Sequence, residues 1–238
     1  MQTILWYGSS RYGVFGQIGK LRGLIAAVVF TVLAGFSVAQ AETLRISALG
    51  DSLTQGYGLS PEQGLVPQLQ AWLTARGHDV EILNAGVSGD TTAGGLSRLD
   101  WTLADSPDAM IVALGGNDLL RGIDPALSRA NLAGILERLA AEGIPALLVG
   151  LPAPGNYGPE YQAEFAALYP DLAQRFGVLL VPDMLAPLGA RIAEGAAPGT
   201  VFQSDMIHPN AQGVGLVVEG LGPQVEALIG QARATEGT

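Results

Sequence analysis

Five short apolar runs, at residues 44–49, 80–83, 110–114, 146–149 and 178–181, alternate with segments whose apolar residues recur at helical spacing. Runs this continuous suit strands buried on both faces, as a parallel sheet covered by helices requires. Between them, Leu65, Leu69, Trp72 and Leu73 share one helical face, and Leu96, Leu99 and Leu103 repeat the spacing in a second helix. A third helix is expected to open at Asp124-Pro125, a cap followed by proline at the first helical position, and to end near Gly143. Tyr161, Phe165, Leu168, Leu172 and Phe176 mark a fourth. The alternation predicts an α/β fold, a three-layer α/β/α sandwich around a five-stranded parallel sheet with right-handed crossovers.

Residues 1–41 fall outside this pattern and have the features of an export signal. Arg11, Lys20 and Arg22 make a positive start, residues 23–36 are apolar, and Ala39-Gln40-Ala41 matches a small-x-small cleavage site. Cleavage there would start the mature protein at Glu42, leave residues 42–238 as one domain and direct it to the periplasm or the exterior. A membrane anchor is the alternative, but the apolar stretch is shorter than the roughly 20 residues a span needs. Removing three basic residues takes the formal charge from -10 to -13, with nine arginines against 22 carboxylates. Such a surface repels nucleic acid and disfavours adsorption to anionic lipid. No disulfide scaffold is possible, because the chain has no cysteine.

Composition also narrows the chemistry. A serine nucleophile needs a neighbouring base, usually histidine or lysine. The only lysine is Lys20, in the expected signal, so His78 and His208 remain. Ser52 follows the first apolar run within Gly50-Asp51-Ser52-Leu53 and can be a nucleophile or a helix cap. Thr54 stands where the sharper G-x-S-x-G elbow would place glycine, which argues against the larger lipase fold. His208 lies three residues after Asp205, a spacing that places both side chains on one side of a turn, and Pro209 suits a first helical position. A carboxylate so placed would orient the imidazole. A metal pair and a plain cap by Asp205 are the competing readings, the first lacking further histidine or any cysteine to complete a site. His78, between Gly77 and Asp79, has the setting of a solvated turn residue, and residues 90–92 that of a helix cap.

The chemically suggestive segments all fall at the carboxyl ends of predicted strands, where open α/β sheets bind ligands. With a flavodoxin-like order 2-1-3-4-5, strands one and three would be neighbours, bringing Ser52 beside Asn117. Gly89 would let a carbonyl oxygen approach a backbone N–H, and Asn117 would add a neutral amide donor, although both also suit turns.

Four blocks in order, Gly50–Leu53, 84–91, 115–118 and 205–209, resemble the SGNH (GDSL-type) hydrolases over nearly all of residues 42–238. Residues 116–122 and Asn156-Tyr157-Gly158 are most similar to its periplasmic thioesterase, lysophospholipase and arylesterase group. The resemblance implies Ser52 as nucleophile, His208 as base and Asp205 as its orienting acid. It further implies the N–H groups of Ser52 and Gly89 with the Asn117 side chain as an oxyanion hole. The expected function is hydrolysis of acyl esters or thioesters through an acyl-enzyme, with no metal or cofactor and a small-molecule or lipid ester as substrate. Leu119, Leu120 and Ile123, with Pro154 and Tyr157 on the loop 152–159, are expected to hold the acyl chain. A carbohydrate deacetylase on the same residues and a non-catalytic lipid-binding relative are the rivals.

Overall fold

The computed structural model describes residues 43–153 and 155–236, together with 3, 5 and 8. The expected export segment therefore lies outside the described residues apart from those three positions, as does Pro154. Contacts divide the chain between Glu42 and Thr43, and the strands among the described residues belong to Thr43–Thr238.

Five strands, β1 (Leu44–Gly50), β2 (Val80–Gly86), β3 (Ala109–Ala113), β4 (Ala146–Val149) and β5 (Leu179–Val181), pair in the order β2-β1-β3-β4-β5, all parallel. Successive side chains of a strand point to opposite faces. Accordingly Leu44, Ile46 and Ala48 of β1 join one core cluster, with Ile111 of β3 and Leu147 of β4, while Leu49, Met110, Val112 and Leu148 join the other. The first cluster is closed by α2 (Leu65–Thr74), α8 (Ala186–Ala193) and α9 (Ala211–Glu236), the second by α6 (Pro125–Ala141) and α7 (Pro159–Phe176). This is the expected three-layer α/β/α sandwich.

Shorter helices complete it: α1 (Ser52–Gln55), α3 (Thr92–Ser97), α4 (Leu99–Leu103) and α5 (Gly116–Arg121). The expected opening of α6 is correct, since Asp124 accepts the Ala126 N–H at 2.8 Å ahead of Pro125. Other expectations need correction. The leucines 96, 99 and 103 span two helices, because the backbone leaves the helical region at Arg98 (φ -109, ψ 10). Pro209 does not open α9; it lies in a bridge to Phe202, and Asn210 caps the helix by accepting the Gly213 N–H at 3.0 Å. The helix α8, which precedes the loop carrying Asp205, was not anticipated. His78 is half-buried and not fully solvated: its Nε2 lies 2.8 Å from Glu226 of α9, at the entrance to β2 and so at the opposite end of the sheet from Ser52.

Register positions the site. Gly50 pairs with Gly86 on one side and Ala113 on the other, so β1, β2 and β3 end level. The loops that follow, with Ser52, Gly89 and Asn117, therefore emerge side by side at the switch point of the sheet.

Candidate active site

Local chemistry shapes each of the three loops. After β1, the Asp51 side chain accepts the Leu53 N–H at 3.0 Å and caps α1, so Ser52 is the first helical residue and not the cap. Gly56 then ends α1 in the left-handed region (φ 88) and Tyr57 turns back, its ring centroid 4.7 Å from that of His208. After β3, Gly115 adopts φ 120; a Cβ there would lie 2.2 Å from the Tyr169 hydroxyl, which donates to the Leu114 carbonyl at 2.9 Å. Burial pushes the Tyr169 phenol far up, so it stays a neutral donor. Asp118, fully buried, accepts from the Thr92 N–H (2.9 Å), the Thr92 hydroxyl (2.6 Å) and the Ser128 hydroxyl (2.8 Å), tying α5 to α3 and α6. Buried polar oxygens are tolerable when they are hydrogen-bonded in this way.

The loop before α9 brings the base. Asp205 Oδ1 accepts the N–H groups of Ile207 and His208, both at 3.0 Å, and Oδ2 lies 2.7 Å from His208 Nδ1. Those two backbone donors and the ring hold the Asp205 carboxyl down to about 2. It is therefore an ionised, acceptor-only group at neutral pH, and Nδ1 must carry the proton. In the neutral ring Nε2 is then the acceptor, and it lies 2.8 Å from Ser52 Oγ. Gln203 fastens this loop to the one carrying Ser52, with its amide donating to the Tyr57 carbonyl at 2.8 Å and the Pro209 carbonyl at 3.0 Å. Sequence reasoning missed Gln203 and Tyr57, since only a pairing across 146 residues reveals them.

Ser52, Gly89, Asn117 and His208 line one cleft of about 380 Å³, within the roughly 300–1,000 Å³ of small-molecule sites. Gly89 adopts φ 81, which glycine alone takes freely. The Asn117 amide donates to the Asp90 carbonyl at 2.9 Å and more distantly to Asp51 Oδ2 at 3.4 Å. Leu119, Leu120 and Tyr157 line the cleft, joined by Leu53 and Ile207 from two of the motif blocks and by Leu185, from a segment that carried no sequence signal. Ile123 does not: Gly122 (φ 61) ends α5 and turns the chain away, leaving the Ile123 carbonyl to accept from Tyr161 at 3.0 Å. Among the described residues no cluster of three or more His, Cys, Asp or Glu could hold a metal ion.

Asp51 also lines the cleft and is only 3% exposed. Burial pushes it up to about 6, against the Leu53 N–H, His208 and Asn117, which pull it down. A carboxyl raised on folding contributes stability that is fully present below its unfolded value, near 4, and is lost as pH rises through about 6. Asp51→Asn keeps a capping acceptor and removes that titration. Its unfolding free energy relative to the parent should rise between pH 4 and pH 8 by on the order of 3 kcal/mol, measured by urea denaturation at both values. A difference independent of pH would mean that Asp51 ionises normally.

Residues 48–216 match the model of the GDSL-like Lipase/Acylhydrolase family. The chain is 38% identical over 210 residues to Esterase TesA of Pseudomonas aeruginosa, covering 88% of this chain and 98% of that protein. It is 34% identical over 202 residues to Thioesterase 1/protease 1/lysophospholipase L1 of Escherichia coli, covering 84% and 91%. The crystal structure of AlinE4, an SGNH-hydrolase family esterase, matches with a TM-score of 0.63 and 44% identity over 79% of this chain and 98% of that one.

Proposed function

The chain belongs to the GDSL-like lipase/acylhydrolase family and is a serine carboxylic-ester hydrolase, and from that premise we propose that Ser52, His208 and Asp205 carry out the hydrolysis through an acyl-enzyme. The observation that supports this most is the continuous relay Asp205 Oδ2 to His208 Nδ1 (2.7 Å) and His208 Nε2 to Ser52 Oγ (2.8 Å). Ser52 Oγ attacks the ester carbonyl while His208 Nε2 takes its proton, and Asp205 steadies the imidazolium. The N–H groups of Ser52 and Gly89 and the Asn117 amide donate hydrogen bonds to the negative charge that develops on the carbonyl oxygen. His208 then returns the proton to the leaving alcohol or thiol, and water repeats the cycle to release the acid.

The substrate is an ester or thioester with an apolar acyl chain, lying against Leu119, Leu120 and Tyr157. A cleft of about 380 Å³ with so much apolar lining exceeds what an acetyl group requires, which favours an acyl esterase over a carbohydrate deacetylase. Export to the periplasm or exterior is supported by the basic, apolar and small-residue pattern of residues 1–41. No helix among the described residues is long and apolar enough to cross a membrane.

A fluorophosphonate should label the protein at Ser52, located by peptide mass spectrometry, and EDTA should leave hydrolysis of p-nitrophenyl esters unchanged. Labelling elsewhere, or activity lost in EDTA and restored by a divalent cation, would overturn this reading. A series of acyl chain lengths on oxygen and sulfur esters should peak above acetyl; a maximum at acetyl would favour the deacetylase.

A further inference from the structure

The short helices α3 and α4 part at Arg98, and its side chain reaches back under the cleft. Nε donates to Asp90 Oδ2 at 2.6 Å and a terminal guanidinium nitrogen to the Gly50 carbonyl at 2.8 Å. Both side chains are largely buried, at 21% and 16% exposure. The Asp90 carboxylate lies close over α3, where a Cβ on Gly94 would come within 1.9 Å of it. Gly50 is two residues before Ser52, Asp90 is one after Gly89, and the Asn117 amide donates a hydrogen bond to the Asp90 carbonyl at 2.9 Å. One guanidinium is thus fastened to the segments that bear two of the three donors proposed for the oxyanion, and the Asp90 backbone links it to the third.

We propose that Arg98 is a positioning residue for ester hydrolysis, a clamp that holds the Ser52 and Gly89 loops at fixed separation and, through the Asp90 carbonyl, aims the Asn117 amide into the cleft. Arg98 does not line the cleft, so it acts through these groups and not on substrate. The role calls for arginine, whose planar fork offers donors in a fixed geometry to two acceptors at once, where a lysine ammonium is a single point charge on a flexible stem. Oxyanion donors preorganised in this way need no rearrangement as charge develops, and misplacement by about 1 Å can lower turnover roughly a hundredfold. The clamp rests on the oxyanion reading of Ser52, Gly89 and Asn117 given above.

A double-mutant cycle on the purified enzyme tests it, with a p-nitrophenyl acyl ester as substrate and each variant's melting recorded. Arg98→Met should lower kcat roughly ten- to a hundredfold with KM changed less than about threefold. In an Asn117→Ala background the same substitution should cost at least about threefold less, because contacting groups that act through one another are not additive. Arg98→Lys should fall between the parent and Arg98→Met, and carries the test by the same criteria if Arg98→Met does not fold. Factors that simply multiply in the double variant, or a loss confined to KM or to melting, would overturn the clamp while leaving the oxyanion reading intact. Near-parental kcat in Asn117→Ala alone would overturn both.

Discussion

Ser52→Ala and His208→Ala should each lower kcat on a p-nitrophenyl acyl ester by roughly 10⁵- to 10⁶-fold, the largest effects expected in this protein. Neither group can act without the other: Oγ is a weak nucleophile until Nε2, 2.8 Å away, accepts its proton. The losses should therefore not add, and the double variant should be about as slow as either single one. Asp205→Asn should cost less than either, since orienting acids contribute less than the groups they orient. His78→Ala should hydrolyse ester normally and should melt lower, because His78 is bonded to Glu226 at the far end of the sheet. Steady-state kinetics on active protein decides the matter. Substantial turnover in His208→Ala, with loss in His78→Ala, would assign the base to the other histidine.

Asn117→Ala should lower kcat by roughly a hundred- to a thousandfold, on the order of 3 to 4 kcal/mol, the usual consequence of deleting one oxyanion donor. KM should change little, since the contact strengthens only as charge develops on the oxygen. From its place in the sequence, Asn117 needs no role in stability. The hydrogen bond to the Asp90 carbonyl changes that expectation. Losing one hydrogen bond of about 1 kcal/mol should lower melting by about 2–4 °C in a domain of this size. A drop of many degrees with normal kcat in the folded fraction would make Asn117 a structural turn residue and withdraw its oxyanion role.

The contrast between Asn117 and Arg98 shows what a sequence carries. Asn117 stands in Gly115-Gly116-Asn117-Asp118, directly after an apolar run, so its location at a strand's carboxyl end follows from local pattern. Arg98 sits in a stretch that continues the leucine spacing of 96, 99 and 103, and nothing local marks it. Its meaning lies in acceptors supplied by Gly50 and Asp90, and a hydrogen bond across 48 residues leaves no periodicity. Ile123 fails for the reverse reason. It continues an apolar segment, yet one left-handed glycine at 122 turns it out of the cleft.

By itself the sequence determined the parallel sandwich, because strands buried on both faces demand continuous apolar runs and the covering helices demand their own period. It also determined the pairing of Asp205 with His208, a contact three residues long. Tertiary structure alone brings His208 to Ser52, a pairing across 156 residues that the family resemblance implied and no local pattern contains, while His78 is held by Glu226. It decided as well that β1, β2 and β3 end level, which sets Ser52, Gly89 and Asn117 around one cleft. Local patterns report the steric and solvent preferences of neighbouring residues, whereas register and long-range hydrogen bonds exist only after the chain has packed.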